Sequence, residues 1–232
     1  MIPKKIHYVW VGDYDNIPDI EKLWRKNTEN VLPEYEFKVW TEKDVPSNTF
    51  LEQCLDQKIY WAASDYIRTY ILNKEGGIYI DTDLEIVKPI PEDWFKSSLI
   101  LPTETEYHIS NYFIGCNKNN SFLQSLLKMY NSYSGSEINP DDWIPPKLWE
   151  KHLEKCYGKY NIRFAVDNSF KSGNNIRLLS FTEMCPYYPW DKSRVGQMVD
   201  VDNAIGIHYW NNYKKLNNIE LDSFGTKYFD NE

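Results

Sequence analysis

The chain has 232 residues, enough for one sizeable domain with a core and short for two. Its 42% apolar and 26% charged residues suit a soluble globular protein, and no stretch approaches the ~18 uninterrupted apolar residues of a membrane span. A net charge of −8 with no Lys/Arg cluster argues against a nucleic-acid partner.

Four scattered cysteines, Cys54, Cys116, Cys156 and Cys185, contain no C-x-x-C pair, which disfavours zinc ligation or a redox motif. Free thiols and an opening Met1–His7 stretch without an apolar run give a cytoplasmic expectation, with any membrane contact peripheral. Aromatic residues reach 16%, with 9 Trp and 18 Tyr. Such rings suit stacking on sugars and bases, and they equally suit a Tyr-rich core.

In chain order, Ile6 to Val11 reads as a buried strand stopped by Gly12-Asp13. The spacing predicts a helix over 19–30 with Ile20, Leu23 and Trp24 on its buried side, ended by Pro33. Glu36 to Trp40 alternates as a strand, and Ser47-Asn48 caps a short helix carrying Phe50, Leu51 and Leu55. A longer helix runs over 60–74, with Ala63, Tyr66, Ile67, Tyr70 and Ile71 at helical spacing. Gly76-Gly77 ends it, because glycine accepts the left-handed backbone there.

Ile78-Tyr79-Ile80 is then a short strand leading into Asp81-Thr82-Asp83. Extended runs follow at 84–87, 99–101 and 112–115, then a helix over 121–130, a loop over 134–146 and a helix over 147–157. The remainder reads as irregular up to a last strand over 204–209, and the tail from 217 to 232 is expected to fray. Early alternation of strand and helix, without repeats or linkers, predicts a single domain with a three-layer α/β fold.

Asp81 and Asp83 carry the sharpest chemistry. On an extended segment they face one side, ~6.5–7 Å apart along the chain, and form a hard-oxygen site for Mg2+ or Mn2+. A lone D-x-D is usually a solvated turn. Here it follows a helix on which Asp65 and Arg68 lie three apart, able to pair or to bind a ligand together. The plain alternative for that pair is a surface ion pair worth well under ~1 kcal/mol.

Ser64-Asp65-Tyr66-Ile67-Arg68, followed by Gly76-Gly77-Ile78-Tyr79-Ile80-Asp81-Thr82-Asp83, resembles the core of glycosyltransferase family 32. That pattern is a helix with S-D-x-x-R and then G-G-x-Y-x-D-x-D. It is also similar to the catalytic core of the large clostridial glucosylating toxins. The resemblance implies a GT-A-like, Rossmann-type nucleotide-sugar fold with a mixed central sheet. It implies a Mn2+ or Mg2+ cofactor and retaining hexosyl transfer from a nucleotide sugar to a glycan or glycoprotein. A UDP-sugar is favoured over GDP-mannose as donor.

By the same resemblance, Trp10 stacks on the base beside the Val9 backbone, and Tyr79 touches the ribose. Asp65 and Arg68 hold sugar hydroxyls, and Asn111 faces the donor sugar. Asp81 contacts ribose or sugar and water around the metal, and Asp83 ligates the metal directly. In Ala204-Ile205-Gly206-Ile207-His208-Tyr209-Trp210, His208 is the second candidate metal ligand. Tyr112 stands where a small residue is usual, Tyr209 replaces a second His, and Asn211-Asn212-Tyr213 replaces a Ser-x-Trp-like tail. Lys214 and Lys215 follow and are candidates to reach the diphosphate, with ordinary surface lysines as the alternative.

Competing readings are a haloacid-dehalogenase-type phosphatase, whose D-x-D closes the first strand of its fold, and an inactive nucleotide-sugar-binding module. A glycoside hydrolase needs carboxyls on opposite sides of the bond, roughly 5–9.5 Å apart. With Asp81 and Asp83 assigned to donor and metal, no other carboxylate stands in a motif that marks a general base. Glu104, Glu106 and Asp142 are the reserve candidates if the reaction inverts.

Overall fold

The computed structural model describes residues 1–103, 109–143, 145–157, 170–171, 175–186 and 201–210. The chain runs β1 (Lys5–Val9), α1 (Asp19–Val31), β2 (Glu36–Trp40), α2 (Thr49–Asp56), α3 (Tyr60–Glu75), β3 (Gly77–Ile80) and β4 (Leu84–Ile86). It continues through β5 (Leu99–Pro102), β6 (Phe113–Cys116), α4 (Ser121–Asn131), α5 (Pro145–Tyr157), β7 (Phe170–Lys171), β8 (Ile176–Leu179), α6 (Phe181–Met184) and β9 (Gly206–His208).

The main sheet has the order β2-β1-β3-β6-β5-β8-β7, and β4 pairs with β9 in a small antiparallel sheet. β1 pairs parallel to both β2 and β3. β6 runs antiparallel to both β3 and β5, so the sheet is mixed. Because β1 lies between β2 and β3, the chain leaves its C-terminal edge in opposite directions. Open α/β sheets form their ligand crevice at such a switch point.

Period-two alternation sorts the strands onto two cores. Val9 and Tyr79 face one apolar cluster, built with residues of α2, α3, α4 and α5. Ile6, Tyr8, Ile78 and Ile80 face the other, with Trp94, Phe95, Leu84 and Ile86. Each such aliphatic side chain, fully buried, contributes roughly 1.5–3 kcal/mol over its exposed state. The three-layer α/β expectation is met. None of the four cysteines forms a disulfide.

Several elements differ from the sequence reading. On α1, Ile20 and Leu23 are exposed, while Glu21, Trp24 and Thr28 are buried. The reason is the partner of that face. Trp24 stacks on Tyr209 at 4.2 Å, the Thr28 hydroxyl accepts from Ile86 N at 3.0 Å, and Asn27 donates to Glu85 at 2.8 Å. The small sheet presents the Glu85 carboxylate and the Ile86 N–H beside Tyr209, and so selects a partly polar helix face. β8 and α6 lie in the stretch read as irregular; at four residues each they are too short to show a period. α5 begins at Pro145, inside the segment expected to be loop, as proline suits a first helical turn. The tail expected to fray lies outside the described residues.

The turn into β3 needs its glycines. Gly76 caps α3 at φ +67°, and Gly77 follows at φ +103°. His7 donates from Nε2 to Gly76 O at 2.8 Å and accepts from Trp40 Nε1 at 3.1 Å, tying β1, β2 and this turn together. A Cβ at Gly77 would lie 2.8 Å from Lys5 O and 2.9 Å from His7 Nε2, whereas one at Gly12, φ +97°, would meet open space. Gly77→Ala is therefore expected to destabilise by more than the ~1–3 kcal/mol of left-handed strain alone, and Gly12→Ala by about that strain. Urea unfolding of both variants compares them, and equal losses would show that close packing at Gly77 adds nothing.

Candidate active site

β1 and β3 end side by side, and the segments that leave them wall a cavity of about 410 Å³. Val9, Trp10 and Val11 come from the β1 end; Tyr79, Asp81, Thr82 and Asp83 come from the β3 end. The first turns of α3 supply Tyr60, Trp61, Ser64 and Arg68, and the β9 end supplies His208 and Trp210.

The D-x-D segment is a tight turn rather than the extended strand expected. Leu84 N donates to Asp81 O at 3.1 Å, closing the turn as the chain passes from β3 to β4. The carboxylates still converge, because β9 brings His208 opposite Leu84. His208 Nε2 lies 3.0 Å from Asp83 Oδ1 and 3.8 Å from Asp81 Oδ2. Ligand atoms of Asp81, Asp83 and His208 all fall within 4.8 Å of one another. Two carboxylates and an imidazole on one cavity wall are a fitting donor set for a divalent cation such as Mn2+ or Mg2+.

Behind this trio sits a buried ion network. Arg68 Nη1 reaches Asp81 Oδ1 at 3.1 Å and donates to Asn111 O at 2.8 Å; Nη2 donates to Ser64 Oγ at 3.0 Å. Its guanidinium lies 4.2 Å from the Tyr79 ring centre, and Tyr79 donates its hydroxyl to Asp81 Oδ1 at 2.5 Å. Asp65 pairs with Arg68 Nε at 3.4 Å and accepts from Asn111 Nδ2 at 2.8 Å. Asp65 and Arg68 side chains are only 5% and 7% exposed, so the surface-pair reading is replaced by a buried pair. Burial pushes the Asp65 carboxyl up to about 7, against the pull of Arg68 and the Asn111 amide.

Val9, Trp10, Arg68, Tyr79, Asp81, Asp83 and His208 thus meet around one cavity. Asp65 and Asn111 do not line it; they stand behind Arg68. Lys214, Lys215, the Asn211-Asn212-Tyr213 segment, Glu104 and Glu106 lie outside the described residues. Asp142 sits in a short 3-10 helix away from the cavity wall. Among lining residues, the sequence gives no individual role to Val11, Tyr60, Trp61, Ser64, Thr82 and Trp210. Tyr60 and Trp61 are 45% and 42% exposed, unusual for rings of their size, and they directly precede the S-D-x-x-R motif.

Residues 1–101 match the family model for the glycosyltransferase sugar-binding region containing the DXD motif. That span includes β1, α3 and the turn that carries Asp81 and Asp83. The match spans under half of the chain and makes residues 1–101 similar to the family-32-like sugar-binding DXD region. The chain is 28% identical over 161 residues to subversion of eukaryotic traffic protein A of Legionella pneumophila, covering 54% of this chain and 24% of that protein. It is 28% identical over 155 residues to human alpha-1,4-N-acetylglucosaminyltransferase, covering 64% of this chain and 42% of that enzyme. The chain therefore spans less than half the length of either relative. The PaToxG glycosyltransferase structure shares the fold, with a TM-score of 0.53 and 22% identity over 67% of this chain and 70% of that one. The GT-A-like architecture expected for the DXD region is the one present.

One consequence concerns protons. Burial by itself lowers the His208 pKa, but Asp83 overrides it and holds the imidazolium up to about 10, against ~6.5 in the unfolded chain. In the metal-free protein this contact stabilises fully below ~6.5 and is lost as pH rises towards 10. A cation must displace that proton, since only neutral imidazole ligates. Mn2+ binding is therefore expected to release about one proton at pH 7.5 and to tighten as pH rises. Calorimetric titrations in two buffers of different ionisation enthalpy read this directly; identical heats in both would contradict a protonated His208.

Proposed function

We propose that this chain is a metal-dependent, retaining glycosyltransferase that moves a hexose from a nucleotide sugar to a glycan or glycoprotein. The observation that carries the reading is the convergence of Asp81, Asp83 and His208 with the aromatic ends of β1 and α3 on one cavity at the switch point of the sheet. Family-32-like sequence over the same elements supports it.

In this reading the planar faces of Trp10, Tyr60 and Trp61 take the base, and Tyr79 lies towards the ribose. Arg68, held by Asp65 and Ser64, presents its charge beside the sugar and diphosphate. Asp81, Asp83 and His208 would hold the divalent cation. When bound, the ion supplies positive charge for the departing diphosphate. A UDP-sugar is the favoured donor, because the likeness to the toxin core runs through Trp10, Tyr79 and Asp83.

The stereochemical reading follows from what the cavity offers. Among its described lining residues the only carboxylates are Asp81 and Asp83, both committed to the ion and its neighbours. Asp142 is not among them. An oxygen of the leaving diphosphate can instead accept the acceptor proton on the face from which it departs, which keeps the anomeric configuration without a protein base.

Two outcomes test the proposal. A panel of nucleotide sugars with Mn2+ should release free nucleotide from a UDP-sugar. Asp83→Asn should lower turnover at least about a hundredfold while the fold melts within a few degrees of the unsubstituted chain. Trp10→Ala should weaken binding of the bare nucleotide as well as of the sugar nucleotide. Full activity in EDTA would sink the metal dependence, phosphate release from simple esters would point to a phosphatase, and a melting shift without turnover would point to a binding module. Separately, proton NMR of the first-formed glycoside should show an α-product from an α-donor. A β-product would contradict retention.

A further inference from the structure

Among the described residues, no carboxylate or carbonyl accepts a hydrogen bond from the second ring nitrogen of His208. A metal-ligating imidazole normally donates its second N–H to a carboxylate, a carbonyl or water, which fixes its plane. Here Nε2 faces Asp81 and Asp83, while Nδ1 is buried without a hydrogen-bond partner. The Cys185 sulfur also acts on the ring and favours its protonated form.

Two aromatic rings occupy the space instead. Tyr112 stacks on the imidazole at 4.5 Å and 29°, and Trp210 lies against it at 4.2 Å and 42°. Their own centres are 6.2 Å apart, so the three distances close a nearly right-angled triangle. The imidazole therefore sits in a corner, not a sandwich. Each wall is tied at its outer end. The Tyr112 hydroxyl donates to Thr103 O at 3.1 Å, and Trp210 Nε1 donates to Cys185 Sγ at 3.2 Å.

Backbone geometry adds a second observation. Trp210 stands at φ +55°, a left-handed conformation that a bulky residue rarely adopts. Such strain persists where the surroundings fix it. It places the indole against His208 and on the cavity wall at once. Tyr112 is buried beneath the site, at a position where the family pattern has a small residue.

We propose that Tyr112 and Trp210 are positioning residues that set the plane of the His208 imidazole towards Asp81 and Asp83. The inference rests on the metal-dependent reading of this site, and it concerns cation affinity rather than the transfer step.

The test measures the Mn2+ dissociation constant of the full chain by the electron-spin signal of free Mn2+, without donor or acceptor. Tyr112→Leu and Trp210→Leu should each weaken Mn2+ binding about ten- to a hundredfold, the range for lost support of a ligating histidine. Tyr112→Phe keeps the ring and should stay within a few-fold of the unsubstituted chain. The decisive comparison repeats the leucine substitutions in a His208→Ala background. A positioning role predicts no further loss there, because the ring being positioned is gone. A general structural role predicts the same loss in both backgrounds and overturns the proposal. So does unchanged affinity in Tyr112→Leu and Trp210→Leu. If either leucine variant fails to fold, Trp210→Phe carries the same comparison and is expected to weaken binding only when His208 is present. A chain that binds Mn2+ but transfers no sugar would overturn the proposed activity alone, with the affinity series still deciding the positioning role. A chain that binds no Mn2+ would overturn both.

Discussion

A single buried guanidinium, that of Arg68, ties together the parts of this molecule that meet at the cavity. From the middle of α3 it reaches Asp65 and Ser64 on its own helix, Asp81 after β3, and Asn111 O before β6. Its face lies on the Tyr79 ring. Nearby negative groups outweigh burial and hold its pKa above the ordinary arginine value. Removing one partner of such a buried pair typically costs ~3–5 kcal/mol, because the remaining charge is left uncompensated. The network therefore fixes α3 against the end of β3, and with it the place where the D-x-D turn begins.

The second constraint acts on the other side of that turn. After Asp83 the chain leaves the main sheet for the small one, and β9 returns His208 opposite Leu84. A buried carboxylate, Glu85, clamps this sheet to α1. It accepts from the Tyr209 hydroxyl at 2.6 Å and from Asn27 at 2.8 Å. Burial raises its pKa, and those two donors oppose the rise. Asp81 thus belongs to a network rooted in α3, and Asp83 faces a histidine rooted in the small sheet. The cluster exists only where the two halves dock.

Much of this was legible in the sequence, for identifiable reasons. α3 is long and strongly periodic, and its glycine stop sets where β3 begins. S-D-x-x-R and D-x-D carry spacings that survive translation into space, so Arg68, Asp81 and Asp83 could be placed together before any coordinates. His208 was readable only through the likeness of its strand, since 125 residues separate it from Asp83. What was not legible depends on tertiary partners. The buried face of α1 is chosen by Glu85, Ile86 and Tyr209, so Ile20 and Leu23 were misplaced. Asp65 and Asn111 read as cavity groups because spacing gives a face, not a depth. The D-x-D turn reads as extended in the sequence because a strand precedes it and another follows.

Charge supplies a further reason for linking this cavity to a cation, independent of any motif. Among its described lining residues Arg68 is the only permanent positive charge, and it is already shared between Asp65 and Asp81. Asp81 and Asp83 are both acidic, and His208 is positive only while it carries the proton that Asp83 stabilises. A diphosphate entering this space would bring more negative charge to a wall with two carboxylates, inside a chain of net charge −8. At short range and reduced dielectric that repulsion amounts to several kcal/mol. A divalent ion bound by the same carboxylates reverses the sign of the wall where the phosphates would lie. On the proposed reading, Asp81 and Asp83 therefore make the anion's binding depend on the cation's, and metal dependence follows from the electrostatics of the cavity as much as from the spacing of two aspartates.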